Sequence, residues 1–106
     1  MPKYLVIASY TAEGAKGVLA KGGSARREAV EKTVVDLGGA VESFYFAFGE
    51  DDAFVTIDLP DNVAAAALGL AVGASGATLL RTIVLLTPEE IDRAAQVSVA
   101  YKKPGS

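Results

Sequence analysis

Apolar side chains occupy nearly every position from Lys3 to Tyr10, the pattern of a strand covered on both faces. This run predicts a first, central strand. Thr11 to Gly23 is punctuated by Gly14, Gly17, Gly22 and Gly23, which break a short helical turn around Val18 and Leu19 and predict an irregular connection. Ser24 is the predicted cap of a helix over Ala25 to Leu37, where Val30, Val34 and Leu37 recur at helical spacing. Arg27 and Glu31, and Glu28 and Lys32, form opposite-charge pairs on its wet side. Gly38-Gly39 ends that helix, because glycine accepts the left-handed conformation after the last turn. Ala40 to Phe48 and Ala53 to Leu59 read as two strands of a hairpin joined by Gly49-Glu50-Asp51-Asp52. Pro60 stops the second of these, and Asp61 or Asn62 caps a helix with an apolar stripe of Val63, Ala67, Leu70, Ala71 and Ala74. Thr78 to Leu86 is a fourth strand, and Thr87-Pro88-Glu89-Glu90 opens a third helix with a capping box and proline at its first position.

The order β-α-β-β-α-β plus a C-terminal helix predicts a single α+β domain over residues 1–106. With right-handed crossovers it is ferredoxin-like, one antiparallel four-stranded sheet with two helices on one face. Both faces of that sheet are apolar. Tyr4, Val6, Ala8 and Tyr10 point to one side and Leu5 and Ile7 to the other, while Phe44, Phe46 and Phe48 oppose Val41, Tyr45 and Ala47. Two helices cover one face only, so the expected cover of the other is the sheet of a second subunit. That arrangement is a dimeric α/β barrel, with the third helix clasping the join, and it makes the expected partner the chain itself, as a homodimer or a higher homo-oligomer. Ala64, Ala65, Leu68 and Val72 leave the second helix almost no polar side, which predicts burial all round.

Composition narrows the chemistry. The chain has no cysteine and no histidine, which excludes disulfides, thiolate or imidazole metal sites, and catalysis by cysteine–histidine or serine–histidine pairs. A net charge of −3 argues against nucleic-acid binding. Asn62 to Leu80 carries no charge, but it is mainly alanine and glycine and too weakly hydrophobic for a membrane span. The apolar run at the N-terminus is cut short by Ser9, Tyr10, Thr11 and Glu13, too soon for a signal peptide, so the expected location is cytoplasmic.

Three constellations are candidates for chemistry. In Gly22-Gly23-Ser24-Ala25-Arg26-Arg27, helix-start amides with Ser24, Arg26 and Arg27 can hold a phosphate or carboxylate. The competing reading is a capped surface helix with solvated arginines, and the order of residues is not that of a P-loop. Glu50-Asp51-Asp52 can offer oxygen ligands to Mg²⁺ or Ca²⁺, but adjacent acids rarely converge on one ion, and a plain turn with no metal is expected. The third constellation is on the sheet face without helices, where Tyr4, Tyr10, Phe44, Phe46, Thr56 and Asp58, with Arg81, line a small-molecule pocket or an oligomer core. Asp58 and Arg81 are charges within apolar strands, and such charges are paired, exposed at an edge, or functional.

Lys3-Tyr4-Leu5, Ser9 through Gly14, Gly23-Ser24, Arg26-Arg27, Phe44 through Gly49 and Asp58-Leu59-Pro60 together resemble the GYD domain family of small bacterial and archaeal proteins. The Gly-Tyr-Asp of the family's name falls at Gly49-Glu50-Asp51 or Asp52, with Glu50 in place of tyrosine. The resemblance implies a ferredoxin-like, dimeric α/β-barrel type of fold and leaves the activity open. Two functions compete. One is an oligomeric module that binds or senses a small molecule or anion. The other is a cofactor-independent enzyme resembling dimeric α/β-barrel monooxygenases, with Tyr10, Asp58 and Arg81 as candidate catalytic residues that position a small organic substrate and handle its proton. Neither calls for a cofactor.

Overall fold

The computed structural model describes residues 1–105. Its elements are β1 (Lys3–Tyr10), α1 (Ala12–Lys21), α2 (Gly23–Asp36), β2 (Ala40–Phe46), β3 (Ala53–Asp58), α3 (Asn62–Ala74), β4 (Thr78–Leu85) and α4 (Pro88–Ala95). The sheet order is β2-β3-β1-β4, with every neighbouring pair antiparallel. This is the ferredoxin-like α+β arrangement that the element order predicts. The core lies between the sheet and the helices, built on Tyr4, Val6, Val55 and Ile57 from the strands, Leu59 just beyond β3, Val34 from α2, and Ala65 and Leu68 from α3.

Residues 12–21 depart from the predicted irregular connection. They form a ten-residue helix whose first turn is capped by the Thr11 hydroxyl, which accepts from the Gly14 amide. Gly14 is there for packing, since a Cβ at that position would lie 2.0 Å from the carbonyl oxygen of Ala77. Gly22, at φ 87°, then turns the chain directly into α2 and serves as its N-cap. Ser24 is therefore inside the first turn of α2 and does not cap it.

The second correction concerns α3. Asp61 caps it by accepting from the Ala64 amide, and the helix buries Ala65 and Leu68 while Val63 and Leu70 of the expected stripe face outward. A helix that is apolar all round carries little information about its own rotation. The face that carries Ala65 and Leu68 is the buried one here, and the outer side is not buried. The start of α4 follows the prediction: Thr87 and Glu90 form the reciprocal capping box with Pro88 in the first turn. The Thr87 amide holds the Glu90 carboxyl below its ordinary pKa.

Leu59 is fully enclosed at the junction of β3 and the helix layer. Leu59→Ala leaves a cavity there and is expected to lower unfolding free energy by about 3 kcal/mol, measured by urea denaturation at constant m-value.

Candidate functional site

The strand register separates residues that the sequence reading grouped together. Tyr4, Val6, Ala8 and Tyr10 of β1 face the helices, as do Val55 and Ile57, which pair across the sheet with Val6 and Tyr4. By alternation Lys3, Leu5, Ile7 and Ser9 face the opposite, helix-free side with Phe54, Thr56, Asp58, Arg81 and Ile83. The proposed lining of Tyr4, Tyr10, Phe44, Phe46, Thr56 and Asp58 is thus not one surface. Tyr4 is a core residue, 1% exposed, whose hydroxyl donates to Asn62 Oδ1 at 2.6 Å. Phe46 packs edge-on against Phe44, with its ring over Gly23 at the start of α2. Of that group, Tyr10 and Phe44 line a cavity.

That cavity is on the helix side. It encloses about 110 Å³ between the sheet and helices α2 and α3, walled by Val6, Ala8, Phe44, Val55, Val34 and Leu68. It opens past Tyr10, Thr33, Val72 and Thr78 into a cleft of about 590 Å³ bounded by α1, α2 and α3. Small residues make the space: Gly14 and Gly17 on α1, Ala25 and Ala29 on α2, and Ala71 on α3. The polar groups at the mouth include Arg26, Lys21, Glu13 and Ser75. Arg26 is half-buried, lines both spaces, and belongs to none of the ion pairs among the described residues.

Arg26 is therefore the one member of the proposed anion cluster that reaches this space. Arg27 is paired with Glu31 at 3.5 Å on the outer side of α2, and Ser24 is exposed and lines neither the cavity nor the cleft. Sequence reasoning missed the cleft because it treated residues 11–23 as a loop, although Thr11, Glu13 and Lys21 were legible as a cap, a first-turn acid and a last-turn base.

On the helix-free face the charges sit at opposite ends. Lys3 bonds Glu42, next to the β-bulge between Val41 and Ser43, and also Asp58 at 3.0 Å. These hydrogen bonds, the one to Glu42 foremost, raise the Lys3 pKa above its ordinary value. At the other end Arg81 donates to Asp51 at 2.8 Å, and Asp51 also accepts from the Ser9 hydroxyl. Asp58 and Arg81 thus share a face but not a partner. In the loop, Asp52 accepts from the Tyr10 amide at 2.7 Å, so the neighbouring carboxylates Asp51 and Asp52 are directed to different protein donors rather than to a common point.

The fold and the cleft define a small ferredoxin-like α+β domain with a helix-side cavity and a bare sheet face. The family model for the GYD domain matches residues 4–95, nearly the whole chain, and the protein belongs to that family. No curated protein and no solved structure matches the chain. No helix among the described residues is long and apolar enough to cross a membrane.

The raised pKa of Lys3 has a defined consequence for stability. A cation whose pKa is higher in the folded state contributes fully below its unfolded pKa and loses that contribution as pH rises through the folded one. Lys3→Met is expected to flatten the alkaline loss of stability above the ordinary lysine pKa, read as melting temperature against pH in parallel with the wild type.

Proposed function

We propose that this protein is a homo-oligomeric binding module that takes a small organic anion in the helix-side cleft of each subunit. The observation that carries the reading is the junction of an apolar cavity with a polar-mouthed cleft at Arg26, a half-buried cation without a carboxylate partner among the described residues. Apolar walls with a few converging polar groups suit a small molecule. A cavity near 110 Å³ is of the order that accommodates a short alkyl group or small ring, and the wider cleft leaves room for an anionic head beside Arg26 and Lys21. The enzymatic alternative is less well supported, because Asp58 is ion-paired with Lys3 on the other side of the sheet from Tyr10. Action in the cytoplasm fits a chain without cysteine, which gains no disulfide from an oxidising compartment.

Self-association is part of the same reading. Leu5, Ile7, Tyr45, Phe54 and Ile83 form an apolar cluster on the helix-free face, flanked by the Lys3–Asp58 pair at one end and by Arg81, paired with Asp51, on the β4 side. An apolar centre with a charged rim is the anatomy of a protein interface. We therefore assign this face to a second copy of the chain.

Binding is tested by titrating ¹⁵N-labelled protein with benzoate and phenylacetate. The expected shifts cluster at Tyr10, Thr33 and Thr78, Arg26→Met weakens affinity about tenfold, and Leu68→Trp blocks binding by filling the cavity. Equal affinity in both variants would overturn the assignment. Native mass spectrometry tests the assembly: the wild type is expected to be a dimer or higher oligomer, and Phe54→Asp a folded monomer.

A further inference from the structure

The C-terminal segment does not belong to the compact body. The radius of gyration is 16.9 Å, against about 13 Å for a compact chain of this length, and the longest extent is 56 Å. α4 has no buried residue. Beyond it Val97, Val99 and Tyr101 alternate with Ser98, Ala100 and Lys102, a strand period, yet the three large side chains are 65%, 74% and 75% exposed. None of the hydrogen bonds among the described residues involves Ser98 to Lys103. The segment therefore has the side-chain pattern of a strand without a sheet.

The molecule also has a sheet edge without a strand. β4 ends the sheet order on one side, and Thr78–Leu85 runs through eight regular residues with Arg81 as its sole charge. Sheet edges in folded proteins are ordinarily blunted by bulges, prolines or several charges. β2, the other edge, carries its β-bulge between Val41 and Ser43 and the charged Glu42 beside it; β4 carries no such bulge in its register with β1.

We propose that Val97–Tyr101 of one chain adds as a fifth strand to the β4 edge of a second copy, and that the exchange is reciprocal. The proposal rests on the self-association reading above and names the element that completes it. Backbone hydrogen bonds along β4 supply affinity, and the alternation of the arm places Val97, Val99 and Tyr101 on one side, beside Leu79 and Ile83, which flank Arg81 on the helix-free face of β4. α4 is the spacer: its eight helical residues cover about 12 Å and carry the arm off its own subunit. A reciprocal exchange about a two-fold axis closes, so both β4 edges of a dimer are capped and neither remains to propagate a fibre.

The absence of cysteine from the chain makes the test clean. Val99→Cys is mixed with Leu79→Cys, Arg81→Cys or Ile83→Cys carried on separate ¹⁵N-labelled chains, and the mixtures are oxidised after circular dichroism shows each variant folded. A disulfide between labelled and unlabelled chains in at least one mixture, joining position 99 to β4, is the expected result. Amide exchange at Ser98–Tyr101 is expected to be slowed at least tenfold in the assembled protein. An oligomer in which position 99 links to no β4 position and these amides exchange freely would overturn the arm exchange while leaving self-association standing. A monomer by native mass spectrometry would overturn both.

Discussion

Everything in this fold depends on the double-sided burial demanded by β1. The strand lies in the sheet interior, paired with β3 on one side and β4 on the other, so its backbone needs nothing further. Its side chains alternate between two apolar rows. The row of Tyr4, Val6 and Ala8 is enclosed by α2 and α3 and anchors the core. The row of Leu5 and Ile7 has no helix over it; Ile7 is buried among its neighbours and Leu5 half-buried, while Phe54 and Ile83 beside them are exposed. Burial of apolar surface contributes about 25 cal/mol per Å², so a sheet with one bare apolar face gains from a second protein layer.

The helix side is governed by size rather than polarity. Val34 and Leu68 close α2 and α3 onto the sheet, but Ala25, Ala29 and Ala71 are too small to fill the space between the helices. α1 enters beside them because Gly14 lets its backbone approach Ala77, to which the Thr11 amide also donates at 3.0 Å. Interiors packed from larger side chains do not leave such a volume. The cleft thus has a cause in residue size, and Arg26 lines both it and the cavity while remaining half-buried.

The sequence made the strands legible because the near-continuous apolar run of β1 and the two β-rich runs flanking the polar turn at Gly49–Asp52 are local signals. The capping box of α4 was legible for the same reason. The site was not, and the failures have physical causes. Glycine at 14, 17 and 22 suggested a broken segment, because the contact that calls for Gly14 is with Ala77, far along the chain. The alanine-rich α3 could be rotated either way on pattern alone, and the face it buries is the one that carries Ala65 and Leu68. Tyr4 and Asp58 were grouped because β1 and β3 were read without their register, which pairs Tyr4 with Ile57 and Lys3 with Asp58 and so puts the two on opposite faces. Arg26 carried a usable signal, since Arg27 had a partner at Glu31 and Arg26 had none four residues on, where Val30 stands.

The hairpin loop ties the two faces together. Asp51 reaches the helix-free side and holds Arg81 and Ser9, while Asp52, the next residue, holds the backbone of Tyr10 where that ring lines the cavity. Two adjacent acids thus serve two different donors, a side-chain pair on the helix-free face and a backbone amide of β1. Glu50 takes part through its backbone carbonyl, which accepts from the Ser9 hydroxyl, while the Asp51 and Asp52 side chains keep the loop seated on β1 and β4.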